Sequence, residues 1–268
     1  MDTLPSEILN EILLVDRPSL YYVAQVCTQW QQMALKQVVT ISSKDVFKKV
    51  CHQGDRLSII KSKLNKSWLN KGLSGGCSGG HKDLVELIIA KGADDWNDGL
   101  YYACQGGSKE LVEFMIAKGA NDWNSGLYSV CQEGHKELVQ LMIAKGADDW
   151  NSGLYGSCQG GSKELVEFMI AKGANNWNDG LEGACEGGHK ELVELMIVKG
   201  ANNWDIGLCY ACQGGFKDLV ELMISKGANN WNSGLDNACR RGHKSLIDLM
   251  IAKGADYCYQ CDKSAIAH

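Results

Sequence analysis

Positive charge is not in excess: 27 lysines and arginines stand against 32 aspartates and glutamates, a net charge of −5. Without a basic face there is no footprint for a nucleic acid, and no nucleic-acid partner is expected. Long apolar runs are missing too. None approaches the roughly 20 residues that a helix needs to cross a bilayer, so no membrane partner is expected. The opening Met1-Asp2-Thr3-Leu4-Pro5-Ser6-Glu7 lacks a basic segment followed by an apolar one. A signal peptide is therefore not expected, and an intracellular, cytoplasmic place is. Catalytic signatures are absent as well: no P-loop, no nucleophile elbow, no His-Glu-x-x-His. The repeated glutamates and lysines alternate as solvated helix faces do, without the paired, desolvated setting that tuned catalysis requires. No catalytic residue, cofactor or metal is assigned, and the chain reads as a non-enzyme.

What the chain has in abundance is itself. Gly-Leu recurs at 72, 99, 126, 153, 180, 207 and 234, always 27 residues apart. Cys77, Cys104, Cys131, Cys158, Cys185, Cys212 and Cys239 keep the same step, as do Trp96, Trp123, Trp150, Trp177, Trp204 and Trp231. Seven copies fill residues 72–258. A fixed period of this length predicts a stacked solenoid, in which each unit buries its apolar face against its neighbours. The 45% apolar content suits a folded chain. Stacked helices sit roughly 8–10 Å apart. Equivalent cysteines of adjacent copies would then lie beyond the Cα separation of about 7 Å that a disulfide tolerates. They read as small buried apolar residues in a reducing compartment.

One copy shows how the unit folds. In residues 98–124 a short helix is expected from Asp98 to Gln105, with Asp98 as its cap and Gly106-Gly107 ending it. Ser108 then caps a second helix. Leu111, Val112, Met115 and Ile116 fall on one face of it at helical spacing. Lys118-Gly119 closes the unit, the glycine being free to turn left-handed. Helix, turn, helix and a tight link make an all-α unit.

Within this sameness some positions change. His81, His135, His189 and His243 are 54 apart, and Ser108, Ser162 and Phe216 hold the place between them. Two layers of helices span roughly 20 Å, far beyond shared ligation at about 2 Å. The histidines are thus expected to be cap or turn residues. The tryptophans are expected to pack between repeats, with a partly exposed ladder as the other possibility, since Trp rarely buries completely. The two residues after each Gly-Leu vary most: Ser74/Gly75, Tyr101/Tyr102, Tyr128/Ser129, Tyr155/Gly156, Glu182/Gly183, Cys209/Tyr210 and Asp236/Asn237. A fixed core with one varied, tyrosine-rich stripe is what a protein-binding surface would look like. Tyr101, Tyr102, Tyr128, Tyr155, Glu182, Tyr210 and Asp236 are the partner-binding candidates.

The unit resembles the ankyrin repeat. The matching residues are Gly-Leu-x-x-Ala-Cys-x-x-Gly-His-Lys-x-Leu-Val-x-Leu-Met-Ile-x-x-Gly-Ala-Asp, almost whole at 180–202 and 234–256. The family's Thr-Pro start is lost, and its longer period is shortened between Gly-Ala-Asp/Asn and the next Gly-Leu. By that resemblance the fold is an ankyrin-like helix–turn–helix solenoid lacking the β-hairpin fingers, and the first helix lines a concave face.

Residues 4–34 are different. Pro5 suits a helix's first turn. Ile8, Leu9, Ile12 and Leu13 form an apolar stripe, and Leu20, Val23, Val26, Cys27, Trp30 and Met33 form another. So few short helices make a poor core alone, which motivates a docking partner. The spacing Leu4-Pro5-x-Glu7-Ile8-Leu9-x-x-Ile12-Leu13, then Leu20 and Val26-Cys27-x-x-Trp30, resembles the F-box. The resemblance implies docking to the Skp adaptor of a cullin-type ubiquitin ligase, through Leu4, Pro5, Ile8, Leu9, Ile12, Leu13, Leu20 and Trp30. The expected domains are 1–40, F-box-like; 41–71, a degenerate first repeat, Val50-Cys51-His52-Gln53-Gly54 echoing the repeat; 72–258, the solenoid; and 259–268, a tail. Cys258 and Cys261 offer too few ligands for zinc, even with His268.

Taken together, these features lead to the expectation of a substrate-recognition subunit of a cullin-type ubiquitin ligase: F-box on the adaptor, solenoid on an unidentified protein substrate. The alternative is an ankyrin scaffold or inhibitor with no ligase role. The pairing of F-box and ankyrin repeats resembles proteins of large DNA viruses that borrow the host ligase, and would place the chain in host cytoplasm.

Overall fold

A computed structural model of the chain describes residues 44–54 and 65–257. Regular structure among them is entirely helical. Two compact units are distinguished, Met1–Ala120 and Asn121–His268. In the first lie α1 (Lys44–His52), α2 (Lys66–Ser78), α3 (Lys82–Ala90), α4 (Trp96–Gln105) and α5 (Lys109–Lys118). The second holds α6 (Trp123–Glu133), α7 (Lys136–Lys145), α8 (Trp150–Gly160), α9 (Lys163–Lys172), α10 (Trp177–Gly187), α11 (Lys190–Lys199), α12 (Trp204–Gly214), α13 (Lys217–Lys226), α14 (Trp231–Arg241) and α15 (Lys244–Ala252). From α2 onward the even-numbered helices are the first helices of hairpins and the odd-numbered ones the second, and within each unit successive first helices pack side by side. None of the described helices is long and apolar enough to cross a membrane.

The second helices form as their sequence predicts. On α5 the Ser108 hydroxyl accepts the Leu111 amide at 3.4 Å. Gly119 closes the helix at φ 110°, its N–H reaching the Ile116 and Met115 carbonyls. Leu111, Val112 and Met115 are buried, while Glu110 and Glu113 face solvent. Burying one such Leu, Val or Met side chain contributes about 1.5–3 kcal/mol, and the set recurs from α5 to α13, with Ile88 for the methionine on α3 and Ile247 for the valine on α15.

The first helices begin two residues earlier than expected. α4 starts at Trp96, and its cap is Asp95, whose carboxylate accepts the Asp98 amide at 3.2 Å. Asp98 lies inside the first turn and accepts the Ser74 hydroxyl instead. Asp122, Asp149, Asn176, Asn203 and Asn230 cap the later first helices in the same way.

The glycines of Gly-Leu at 99, 153, 180, 207 and 234 let the two helices of a hairpin meet. A Cβ on Gly153 would lie 2.6 Å from Met169 Sδ, and one on Gly207 2.5 Å from Met223 Sδ. Further along, small residues bring neighbouring first helices close. A Cβ on Gly156 would lie 2.6 Å from the Tyr128 carbonyl oxygen, and one on Gly183 2.5 Å from that of Tyr155. Gly160 and Gly187 leave no room for a Cβ against the Gln132 and Gln159 carbonyls. In the first unit α1 lies on α2 in a similar way: a Cβ on Gly75 would collide with the Lys48 carbonyl, and Phe47 and Cys51 are buried.

Links between hairpins are short, residues 146–149 alone joining α7 to α8, and no strand occurs among the described residues. A side-chain clamp stands where a finger would. Asn124 Oδ1 accepts the backbone amides of Asp148 and Asp149 at 2.9 and 3.0 Å. Asn70, Asn151, Asn178 and Asn232 hold the corresponding pair of amides, and Asp205 does so at 2.7 and 2.9 Å. The link's own alanine, Ala147 in this case, is buried.

The tryptophans are half-buried, and their edges meet their own hairpin. Trp123 Cδ1 would lie 3.9 Å from a Cβ on Gly146, as Trp150 would from one on Gly173. Trp96, Trp123, Trp150 and Trp177 thus lie against the glycine that ends the second helix of the hairpin they begin. Cys51, Cys77, Cys104, Cys131, Cys158, Cys185 and Cys212 are free and buried. Burial pushes the Cys104, Cys158 and Cys185 thiols up to about 12, which leaves them unreactive at neutral pH. Cys239 departs from the series, being disulfide-bonded.

Candidate functional site

First helices pack on one another through small residues, so whatever is large on them is pressed to one side. That side carries the varied stripe, and the structure divides the stripe in two. Ser74, Gly75, Ser129, Gly156 and Gly183 are buried between helices. Variation there sets helix spacing and makes no surface. Tyr101, Tyr102, Tyr128, Tyr155, Glu182, Tyr210 and Asp236 are all half-buried, with part of each side chain reaching solvent.

In the first unit Tyr101 and Tyr102 stand edge to face with ring centroids 5.0 Å apart. The Lys48 ammonium lies 3.4 Å from the Tyr102 ring centroid, a cation–π contact from α1. The first unit's tyrosines thus have a cation of their own.

In the second unit the stripe is a hydrogen-bonded strip. The Tyr128 and Tyr155 rings lie 5.9 Å apart, inclined at 33°. Tyr128 donates its hydroxyl to Gln159 Oε1 at 2.8 Å. Tyr155 donates to Glu186 Oε2 at 2.8 Å, and the Gln213 amide donates to Glu186 Oε1 at 2.8 Å. The Tyr210 hydroxyl interacts with the Glu182 carboxylate, which raises the tyrosine's pKa and opposes the rise of the carboxyl's. Each bond runs from one first helix to another. Glu186, Gln159 and Gln213 were not singled out in the sequence. They follow the repeated cysteine, in a position that reads as an ordinary exposed residue before the Gly pair.

Electrostatics on the strip are one-sided. Burial, with the charges of Asp179 and Glu186 behind it, holds the Glu182 carboxyl above its usual range against the opposing Tyr210 hydrogen bond. Burial and the neighbouring Asp149 do the same to Asp179. Tyr155 is held protonated by burial first, then by its bond to Glu186 and the charges of Glu186 and Glu182. The field and the acceptor oxygens of such a surface favour cations and hydrogen-bond donors. It has no nucleophile–base pair and no carboxylate pair set apart for acid–base work. Among the described residues no group of three or more His, Cys, Asp or Glu side chains is placed to hold a metal ion.

Three of the four evenly spaced histidines reach back to an earlier helix. Each of the four occupies a helix cap position without a side-chain capping bond. His81, His189 and His243 instead point Nε2 at the carbonyls of His52, Gln159 and Gln213, 2.9–3.1 Å away. The His189 ring lies over Gly161 and Gly187, where a Cβ would collide with it. The adaptor-binding candidates Leu4, Pro5, Ile8, Leu9, Ile12, Leu13, Leu20 and Trp30 lie outside the described residues, as do Cys258 and Cys261.

Comparison with protein families agrees with the repeat. A family model described as ankyrin repeats (3 copies) matches residues 73–152, 100–179 and 181–261. The first two matches are displaced by 27 residues (100 − 73), the chain's own period. A second model, described as F-box-like, matches residues 1–39. No curated protein matches the chain.

Proposed function

Because the chain belongs to the ankyrin-repeat family and carries an F-box-like segment ahead of its repeats, we propose that it is the substrate-recognition subunit of a cullin-type ubiquitin ligase. Residues 1–40 dock on the Skp adaptor, with Leu4, Pro5, Ile8, Leu9, Ile12, Leu13, Leu20 and Trp30 at the contact. Residues 41–71 connect, and the repeats over 72–258 grip a protein target with the stripe led by Tyr101, Tyr102, Tyr128, Tyr155, Glu182, Tyr210 and Asp236. The subunit does no chemistry of its own. It raises the effective concentration of the target beside the ligase. The site of action is the cytoplasm, that of a host cell if the source is a large DNA virus.

The observation that carries this reading is the F-box-like match at residues 1–39, because repeats alone would serve any scaffold. A pull-down from eukaryotic lysate tests it, comparing the full chain with its Leu4→Ala/Pro5→Ala form, probed for the Skp adaptor and cullin. Capture by the first and loss by the second is the expected result. Equal absence in both would leave an ankyrin scaffold or inhibitor without a ligase.

A further inference from the structure

We propose that the strip over Tyr128, Tyr155, Glu182, Glu186 and Tyr210 is the docking surface for an arginine-bearing segment of the target protein. This deepens the reading above and rests on the repeats being the part that grips the target, independently of adaptor docking.

Charge is the first argument. Helices α6, α8, α10 and α12 together contain Glu133, Asp179, Glu182, Glu186 and Asp205 and no lysine or arginine. The second helices are balanced: Lys136 pairs with Glu164, and Lys217 with Glu221 at 3.8 Å. Among the described residues no lysine or arginine forms an ion pair with Glu182 or Glu186. Both carboxylates are half-buried, so part of their hydration is already lost with no cation supplied in return. Glu186 accepts from Tyr155 and Gln213, and Glu182 interacts with the Tyr210 hydroxyl. A carboxylate has about four lone-pair sites, so acceptor capacity is left for a donor arriving from solvent. Burial has lifted Glu182 above its usual range, and an incoming cation would reverse that shift.

Shape is the second argument. Glu182 and Glu186 are four residues apart on α10, one turn along the same face. Tyr155 is bonded to Glu186, and the Tyr128 ring lies 5.9 Å from the Tyr155 ring between centroids. A guanidinium is planar, stacks on an aromatic face and offers two parallel N–H groups to a carboxylate. Lysine brings a point charge that uses only part of this geometry. The first unit shows the same chemistry satisfied internally, with Lys48 over Tyr102; in the second unit a carboxylate, Glu186, takes the tyrosine hydroxyl instead. An acidic or phosphorylated partner would be repelled.

The experiment uses the full chain and a dye-labelled, end-blocked peptide of three arginines separated by Gly-Ser spacers, with its glutamate counterpart, read by fluorescence anisotropy. Wild type is expected to bind the arginine peptide, more weakly as salt is raised, and to ignore the glutamate peptide. Glu182→Gln/Glu186→Gln keeps shape and hydrogen-bond acceptors and is expected to weaken binding roughly tenfold or more. Glu110→Gln/Glu164→Gln makes the same change in net charge on exposed second helices and is expected to leave binding within about twofold. Glu182→Gln alone, which preserves the Tyr155–Glu186–Gln213 bonds, guards against misfolding of the double variant, and thermal unfolding of each protein checks the fold. Equal binding by all variants, or no preference of wild type for arginine over glutamate, overturns the proposal. Adaptor capture is scored on the same samples. Loss of capture by wild type would sink the ligase reading and leave the arginine result standing, whereas retained capture with no peptide preference would do the reverse.

Discussion

The hydroxyl of Tyr155 donates to Glu186 Oε2 at 2.8 Å and joins first helices α8 and α10. Gln213 reaches the other oxygen of the same carboxylate from α12, so one glutamate binds three repeats on the face proposed to hold the target. Tyr155→Phe removes a single hydroxyl and should cost about 1–2 kcal/mol at neutral pH, the range for a hydrogen bond to a charged group at a half-exposed site. Burial and Glu186 raise the tyrosine's pKa in the folded chain, so the unfolded chain gives up its proton first, at about pH 10. The stabilisation is therefore complete below that pH and lost above it. Urea unfolding of wild type and Tyr155→Phe should show a gap at pH 7 that closes at more alkaline pH. The buried thiols titrate alike in both and cancel. A gap that stays constant would mean the bond is not coupled to ionisation.

The clamp residues predict a charge rule. Asn124 faces Asp148 and Asp149, whereas Asn151 faces Asn175 and Asn176. The one natural aspartate among them, Asp205, faces Asn229 and Asn230. Asn151→Asp should leave stability within about 0.5 kcal/mol. Asn124→Asp places like charges together and should lose roughly 0.5–1 kcal/mol more, an effect that salt weakens. Asn124→Ala strands two amides at a solvent-accessible link and should cost about 1–2 kcal/mol. Thermal melts of the three variants at low and high salt decide it.

Parts of this were legible in the sequence and parts were hidden for physical reasons. The second helices announce themselves, because Leu111, Val112 and Met115 can share a face only on a helix and Gly119 turns left-handed at its end. The start of the first helix is ambiguous in the sequence because Asp95 and Asp98 offer the same capping chemistry, and only the closeness of the link decides between them. The clamp could not be read at all: Asn124 follows a tryptophan as any polar helix residue might, and its partners lie 24 and 25 residues on. The varied stripe was half misread. Variation at Ser129, Gly156 and Gly183 looks like freedom at a surface, yet these residues lie between helices, where size alone is under constraint. Glu186 leaves no mark in the sequence because its role depends on two other repeats.

Gly160 gives the sharpest packing test. Its Cα hydrogen faces the Gln132 carbonyl across two helices, and backbone cannot step aside as a methionine can. Gly160→Ala should destabilise by about 3 kcal/mol, the upper end for overpacking. Gly153→Ala meets the flexible Met169 side chain and should cost about 1–2 kcal/mol. Denaturant midpoints of the two variants would reverse this order if the first helices slide apart easily.

His189 and Ser162 occupy equivalent positions with different work. The serine hydroxyl accepts the Leu165 amide and caps its own helix. The histidine reaches back to the Gln159 carbonyl at 3.1 Å and covers two glycines of the Gly-Gly turns. His189→Ala loses the bond and the ring contact without a substitute, for about 1–2 kcal/mol. His189→Ser regains a cap worth about 1 kcal/mol and should fall between wild type and alanine. If serine and alanine melt together, the cap contributes nothing at this turn.

Glu182 should show that the strip is held at some cost to the fold. Its carboxyl is raised in the folded chain, burial being the largest cause and the charges of Asp179 and Glu186 adding to it. A raised carboxyl favours the folded state most when protonated. That contribution is complete below the unfolded glutamate pKa near 4.3 and is lost as pH rises through the folded value. Glutamine is neutral at every pH and still accepts from Tyr210. Glu182→Gln should therefore melt above wild type at pH 7, and the difference should vanish by about pH 4. A residue whose neutral replacement stabilises the protein while weakening the arginine peptide is kept for binding. If Glu182→Gln instead melts lower at pH 7, the Tyr210 hydrogen bond outweighs burial and like charge, and the glutamate is a structural strut.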